Sequence, residues 1–438
     1  MLHTHVCDFT FKGDRIIFDV EKRLLLRNDP GDACGREENS RGRVQAIAIK
    51  DSRELIARHR SIFLLLSSAC NLRCSYCFLD ACDRVADGGL MPLETALRAL
   101  DPVRNAKGTD GIFTVTVFGG EPLLNKTILP ALLAELRQLE NDKKLKITVI
   151  LVTNLTLMDW QTAALLGRYD VTVEVSMDGP GEIHDRNRRY PDGRGSFEKV
   201  MQGLDILRTY VPAHRIWVRP TITRSVPVYD ILSYLIDTGF RKISLGACTE
   251  AGTLNIPPGE FVDGLDSAME KYVELLKNDY PVVISPLDMY LRKIYDFLGR
   301  NARDMYLDCG AGMDMIAVAP DGNIYPCPSF WAGAKKEEII LGNVRDGFDG
   351  RHPFLSGSQA VENLSLCKSC WGLPFCDGGC KMHAYRPSDA VACRVAQTHQ
   401  PSLWQLCLYW YAFLRDEMPE VLRDIILPVN AAALQTFN

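Results

Sequence analysis

From residue 62 to residue 280 the chain alternates short apolar runs of β character with segments of helical periodicity. The runs Ile62–Leu66, Thr114–Phe118, Ile147–Val152, Val171–Ser176, Ile216–Ile222 and Lys242–Gly246 read as strands. Between them, Leu93–Val103, Ile128–Leu139, Phe197–Tyr210 and Val228–Thr238 place apolar residues on one helical face. Six such βα units in series predict an α/β fold with a parallel sheet and helices outside it. Catalytic groups on such a sheet gather at the C-terminal ends of the strands. That directs attention to the residues that follow each apolar run.

The flanking regions read differently. Phe9-Thr10-Phe11, Arg15–Phe18 and Leu24–Leu26 are short strand-like runs, the first two separated by the turn Lys12-Gly13-Asp14, which predicts a small β-meander. Asn28 to Arg43 is polar and glycine-rich and reads as a linker or loop. Residues 257–300 read as two helices with Pro281 and Pro286 between them, and 400–427 as an aromatic helical stretch that packs onto the body. Charges at Arg415, Asp416 and Glu417 interrupt that stretch, which argues against a membrane role. The expected division is 1–60, 61–300 and 301–438, with the first piece a small α+β element.

Composition adds two constraints. A net charge of -5 over 438 residues offers no basic excess for neutralising phosphates, so no nucleic-acid partner is expected. No signal-peptide pattern and no apolar run of membrane length is seen, so a cytoplasmic location is expected. The 15 cysteines are then more readily ligands than disulfides. They are unevenly spread: residues 83–308 hold only Cys248, whereas 309–407 hold eight.

The run Ile62–Leu66 empties into Cys70-Asn71-Leu72-Arg73-Cys74-Ser75-Tyr76-Cys77. Three thiolates at the edge of a sheet favour an iron–sulfur cluster or zinc. A structural zinc site wants four protein ligands, and Cys82 lies at no matching offset. Three ligands leave one cluster iron open to a small molecule. Strand two ends in Phe118-Gly119-Gly120-Glu121-Pro122-Leu123-Leu124-Asn125, where the glycines permit close backbone approach to a ligand and Glu121 adds a charge. Strand three ends in Thr153-Asn154 and strand four in Ser176-Met177-Asp178-Gly179-Pro180, followed by His184-Asp185-Arg186-Asn187-Arg188. His184 reads as a turn cap rather than as a base.

The Cys-x3-Cys-x2-Cys pattern, with Tyr76 before its last cysteine, resembles the signature of the radical S-adenosylmethionine (SAM) enzymes. That resemblance implies a partial (β/α)6 barrel and a [4Fe–4S] cluster on Cys70, Cys74 and Cys77, whose open iron chelates SAM. It implies SAM contacts from Tyr76, Gly119, Gly120, Glu121, Asn154, Ser176 and Arg188, the last suited to fork onto a carboxylate. Leu155 stands where the family often has glycine. Residues 1–60 resemble the leader-peptide recognition element of peptide-modifying members, and a plain cap over the barrel is the other reading.

Farther on, Cys309, Gly322, Cys327, Cys367, Cys370, Cys376, Cys380 and Cys393 resemble the SPASM module, which holds two auxiliary [4Fe–4S] clusters. The match includes Trp371 and Asp377-Gly378-Gly379. Carried across, Cys309, Cys327 and Cys380 would hold the inner cluster, with Cys407 or an open iron as its fourth position. Cys367, Cys370, Cys376 and Cys393 would hold the outer one. Three clusters and SAM imply a 5′-deoxyadenosyl radical that takes hydrogen from an unactivated carbon. The expected activity is oxidative cross-linking (thioether or carbon–carbon) of a ribosomally made precursor peptide, with a flavodoxin- or ferredoxin-type electron donor. Formylglycine formation, as in the sulfatase maturases, and peptide epimerisation are alternatives within the class. The long segment before Cys70 weighs against the first. An iron–sulfur protein that only carries electrons or senses SAM is the alternative outside it.

Overall fold

The computed structural model describes residues 6–20, 22–27, 60–79, 89–106, 112–224, 226–248, 256–299, 310–332, 339–348, 352, 371–372, 375 and 390–426. Three strands, β1 (Val6–Phe11), β2 (Asp14–Asp19) and β3 (Leu24–Arg27), form the expected antiparallel meander. The main sheet begins with β4 (Ser61–Ser67), β5 (Ile112–Gly119), β6 (Lys146–Thr153), β7 (Thr172–Val175) and β8 (Ile216–Val218), each pairing in parallel with the next.

The next strands are shorter than the sequence suggests. Pro220, which has no N–H to give a ladder, separates β8 from β9 (Thr221–Ile222). Likewise β10 (Lys242–Ser244) and β11 (Gly246–Ala247) part at Leu245, whose N–H turns to Ser285 O at 2.8 Å. Strands β9 and β11 pair in a small sheet of their own. A further strand, β12 (Val283–Ser285), lies between Pro281 and Pro286, where only a helix break is expected, and pairs with β10. Three residues are too short a run to register as a strand by pattern.

The other edge is extended by β13 (Met315–Val318), β14 (Asn323–Tyr325), β15 (Gly342–Asn343) and β16 (Gly347–Phe348). β13 lies parallel against β4, and β14 to β16 return as antiparallel neighbours. The sheet order is β12-β10-β8-β7-β6-β5-β4-β13-β14-β15-β16, so the six expected parallel strands run consecutively through an open eleven-stranded sheet. The helices Leu129–Lys143, Trp160–Arg168, Phe197–Tyr210 and Val228–Asp237 connect these strands.

The two faces of the sheet differ. Val173, Val175, Ile216 and Val218 join the apolar core shared with the helices. Alternation turns Glu174 and Trp217 to the opposite, inner face. The meander rests on the helix Ala390–Glu417: Phe11 meets Tyr409 at 4.9 Å between ring centroids, and Arg415 donates to Leu25 O at 2.9 Å. Phe18, fully buried, packs against Phe297 and Phe375. Among the described residues, no helix is long and apolar enough to cross a membrane.

Candidate active site at the C-terminal ends of the strands

The loop after β4 carries Cys70, Cys74 and Cys77, all partly buried. Two glycines on the neighbouring strand fix where that loop lies. Gly119 has φ +131°, and a Cβ on it would come within 2.5 Å of Ser67 O; one on Gly120 would come within 2.1 Å of Ala69 O. The backbone bonds Gly120 N–H to Ser67 O (2.8 Å) and Glu121 N–H to Ala69 O (2.9 Å) hold the two segments in that contact. The glycines are therefore required by the cysteine loop itself, before any ligand is considered.

Glu121 is 1% exposed and faces β6. Its Oε1 accepts from Thr153 Oγ1 at 2.7 Å and Leu123 N at 3.0 Å, and its Oε2 accepts from Asn154 N at 2.8 Å. Burial pushes its carboxyl above the usual range, and these three bonds pull the other way. Asn154, presented at the end of β6, donates to Asn71 Oδ1 at 3.0 Å and to Cys70 Sγ at 3.9 Å. Thr156 returns two bonds to Asn154 Oδ1, through its N at 3.0 Å and its Oγ1 at 2.6 Å. Leu155 adopts φ 59°, a left-handed conformation that costs a β-carbon-bearing residue of order 1 kcal/mol. Its side chain is fully buried, which offsets that cost. Asn125 ties the next turn to the sheet, donating to Leu66 O and Met91 O.

A second network starts at Asp178, which the motif contains but which sequence reasoning did not single out. Its Oδ2 accepts from the Tyr76 hydroxyl and faces Arg188 Nε at 3.1 Å, while its Oδ1 accepts from Thr221 N at 2.9 Å. The Arg188 guanidinium lies 5.3 Å from the Tyr76 ring centroid. Burial, reinforced by Asp178, pushes the Tyr76 hydroxyl well above its ordinary value, so it stays protonated and donates. His184 is completely buried and lies behind this network: its Nδ1 faces Asp178 N at 3.4 Å and its Nε2 lies 3.0 Å from Ser196 Oγ. Burial, then the Arg188 charge, lower its pKa to about 3, so the ring is neutral. This is the structural role expected of it. The cysteine loop is fastened to the same segment by Ser75 N to Asn187 O (3.0 Å), Ser75 Oγ to Asn187 Oδ1 (2.7 Å) and Arg73 N to Arg189 O (2.7 Å).

Cys70, Cys74, Cys77, Tyr76, Gly119, Gly120, Glu121, Asn154, Ser176 and Arg188 thus come together at one end of the sheet. Of the farther cysteines, Cys327 and Cys407 do not join them. Cys327 follows β14, which runs antiparallel to β13 and so away from the claw, Tyr325 being level with Ala317 and Ala317 with Phe63. Cys407 is 2% exposed within the apolar core, and burial pushes its thiol up. Cys393 falls within the helix Ala390–Glu417. Cys309, Cys367, Cys370, Cys376 and Cys380 lie outside the described residues, as do Cys34 and Cys82. Cys248 is buried at the end of β11, and Cys7 accepts from Gln405 Nε2 at 3.8 Å.

The donor set suits a cluster. Cys70 Sγ accepts from Leu72 N at 3.4 Å as well as from Asn154, and such N–H···S bonds tune cluster thiolates. Burial, then the Glu121 charge, hold the Cys70 thiol far above its ordinary value, so a metal must displace its proton. No three His, Cys, Asp or Glu side chains among the described residues gather as ligands of a single ion would. Thiolates that each take a different iron need not. SAM is accommodated as well: with Arg188 Nε ion-paired to Asp178 at 3.1 Å, the other N–H groups of the guanidinium are suited to fork onto an incoming carboxylate.

The sequence profile of the Radical SAM superfamily matches residues 64–228, the span from β4 to the helix after β9. Among curated relatives, the cysteine-type anaerobic sulfatase-maturating enzyme of Clostridium perfringens is 30% identical over 335 residues, covering 72% of this chain and 86% of that protein. The chain belongs to the radical SAM superfamily. The radical SAM cyclopropyl synthase TigE of Paramaledivibacter caminithermalis is 23% identical over 400 residues, 85% of this chain and 78% of that one. The solved structure of native anSMEcpe with bound AdoMet and Cp18Cys peptide superposes with a TM-score of 0.61 at 23% identity, covering 80% of this chain and 98% of that one, and shows the same fold.

Proposed function

We propose that this enzyme oxidises a peptide or protein side chain, closing a thioether or carbon–carbon cross-link in a ribosomally made precursor. The observation that carries this reading is the three-cysteine loop bonded to the segments that follow β5, β6 and β7, in a chain whose relatives include a sulfatase-maturating enzyme and a cyclopropyl synthase. When bound, the cluster and SAM supply a 5′-deoxyadenosyl radical. The protein's residues orient and shield. Gly119 and Gly120 set the loop, Asn154 and Leu72 N–H stabilise the Cys70 sulfur, and Tyr76, Asp178 and Arg188 position the carboxylate end of SAM. Ser176, half-buried just after β7, has its N–H on Thr153 O at 2.9 Å.

The SPASM-type ligand assignment belongs to this proposal: Cys309, Cys327 and Cys380 for one auxiliary cluster, Cys367, Cys370, Cys376 and Cys393 for the other. The apolar burial of Cys407 favours an open iron at the fourth inner position over that thiol. Residues 1–60, 61–300 and 301–438 remain the proposed units, with a flavodoxin- or ferredoxin-type donor supplying electrons.

Formylglycine formation is the second reading, favoured by the 30% identity to the sulfatase-maturating enzyme. One experiment separates the two. A candidate peptide encoded beside this gene is incubated anaerobically with reconstituted enzyme, SAM and reductant, and its intact mass and its reaction with an aldehyde probe are recorded. Loss of two hydrogens without an aldehyde supports cross-linking. An aldehyde supports formylglycine, and one deuterium gained from heavy water at otherwise unchanged composition supports epimerisation.

A further inference from the structure

The far wall of the barrel interior carries charges that the cofactor site does not use. Glu174, on the inner face of β7, is 2% exposed, and its carboxylate meets one partner among the described residues, Arg219 Nη1 at 3.0 Å. Arg219 follows β8 and is anchored by its N–H to Val175 O at 2.8 Å, yet its side chain is 48% exposed. Lys242 on β10 sits 5.2 Å from the Trp217 ring centroid, and Trp217, level with Glu174 across the β7–β8 ladder, stands between the two strands. The carboxylate is thus met by one cation, Arg219, whose guanidinium is half-exposed.

A buried carboxylate is a poor stabilising device, since an apolar isostere usually serves as well. Here it has a geometric consequence. With Nη1 held by Glu174, the guanidinium plane is fixed while its other N–H groups keep access to the interior. Gly246, on β11, lies against the same side chain: a Cβ there would be in van der Waals contact, 3.8 Å, with Arg219 Nε. A pre-oriented guanidinium fork is matched to a planar two-oxygen anion.

We infer that Arg219, positioned by Glu174, is a carboxylate-binding residue of the barrel interior. Arg188 being the proposed partner of the SAM carboxylate, the carboxylate here is that of an acidic residue of the substrate, and the inference rests on the peptide reading given above.

The test uses the full, reconstituted chain. The double variant E174Q/R219Q replaces the ion pair by a hydrogen-bonded amide pair, and R219K keeps a cation beside Glu174 but loses the fork. One arm measures SAM affinity by equilibrium dialysis. The other measures retention of the SAM-loaded enzyme on immobilised decapeptides, each Asp or Glu peptide matched to its Asn or Gln isostere. A wild-type preference for acidic peptides of ~10-fold, lost in E174Q/R219Q and weakened in R219K with SAM affinity unchanged, assigns the site to the substrate. A ~10-fold loss of SAM affinity with unchanged peptide discrimination overturns the inference. Retention of no peptide at all, acidic or isosteric, overturns the peptide reading on which it rests. Peptide retention with no acidic preference, or with a preference undiminished in both variants, overturns the inference alone.

Discussion

The ends of β4 to β7 and the wall formed by β8 and β10 face the same interior with opposite polar character. Around the cysteine loop, partners are supplied from within the chain: Glu121 takes three bonds, Asn154 bridges Asn71 and Thr156, and Asp178 gathers Tyr76, Arg188 and Thr221. On the far wall, Arg219 spends one N–H on Glu174 and is otherwise half-exposed. A cofactor of fixed shape is served by a rigid receptacle, since pre-ordered groups lose little freedom on binding. A substrate that differs between enzymes is served by a few oriented charges on an open wall. The contrast teaches where this chain keeps its generic chemistry and where it keeps its selectivity.

That contrast can be broken from the rigid side. Replacing Cys70, Cys74 and Cys77 together by Ala is expected to abolish 5′-deoxyadenosine formation and the cluster's visible absorbance; activity that persists would sink the cluster assignment. Next in size is D178A, which leaves the Arg188 guanidinium buried without its carboxylate and should cost about 3–5 kcal/mol, read as a fall in denaturation midpoint. D178A/R188M should recover most of that stability while SAM affinity stays poor. G120A drives a Cβ to within 2.1 Å of Ala69 O. The loop must shift, at a cost on the order of 1–3 kcal/mol, with weakened iron incorporation on reconstitution.

A finer test concerns pH. His184 has a folded pKa near 3 against an ordinary value of 6.5, so the unfolded chain binds the extra proton between them. Its contribution is fully present above pH 6.5 and lost as pH falls toward 3. The denaturation midpoint of wild-type protein should therefore decline with acidification from neutrality more steeply than that of H184Q. Equal slopes would show that His184 is not held neutral.

Much of the site was legible because its chemistry depends on residue type at short spacing. Cys70, Cys74 and Cys77 lie on one loop, and Gly119, Gly120 and Glu121 follow one strand, so local pattern suffices to pick them out. Asp178 was missed as a hub because three of its partners, Tyr76, Arg188 and Thr221, come from the cysteine loop, the segment after the Gly181–Asn187 helix, and β9. A buried Asp in Ser-x-Asp-Gly was the available signal. Glu121, expected as a ligand's charged partner, also bridges two strands by accepting from Thr153 and Asn154, which no spacing along the chain signals. The glycine expected after Asn154 is explained from the other direction: the backbone there is left-handed, and Leu155 occupies it by burying its side chain.

The sequence by itself determined the order of the parallel strands, the loop that carries three thiolates, and the family. Alternating periods and fixed cysteine spacings are local properties that survive without a fold. Only the tertiary structure decided which strand covers the open edge of β4, since β13 lies more than two hundred residues away in the chain. It alone decided that Glu174, Arg219 and Lys242 share one inner face, because that depends on register between strands and not on spacing within one.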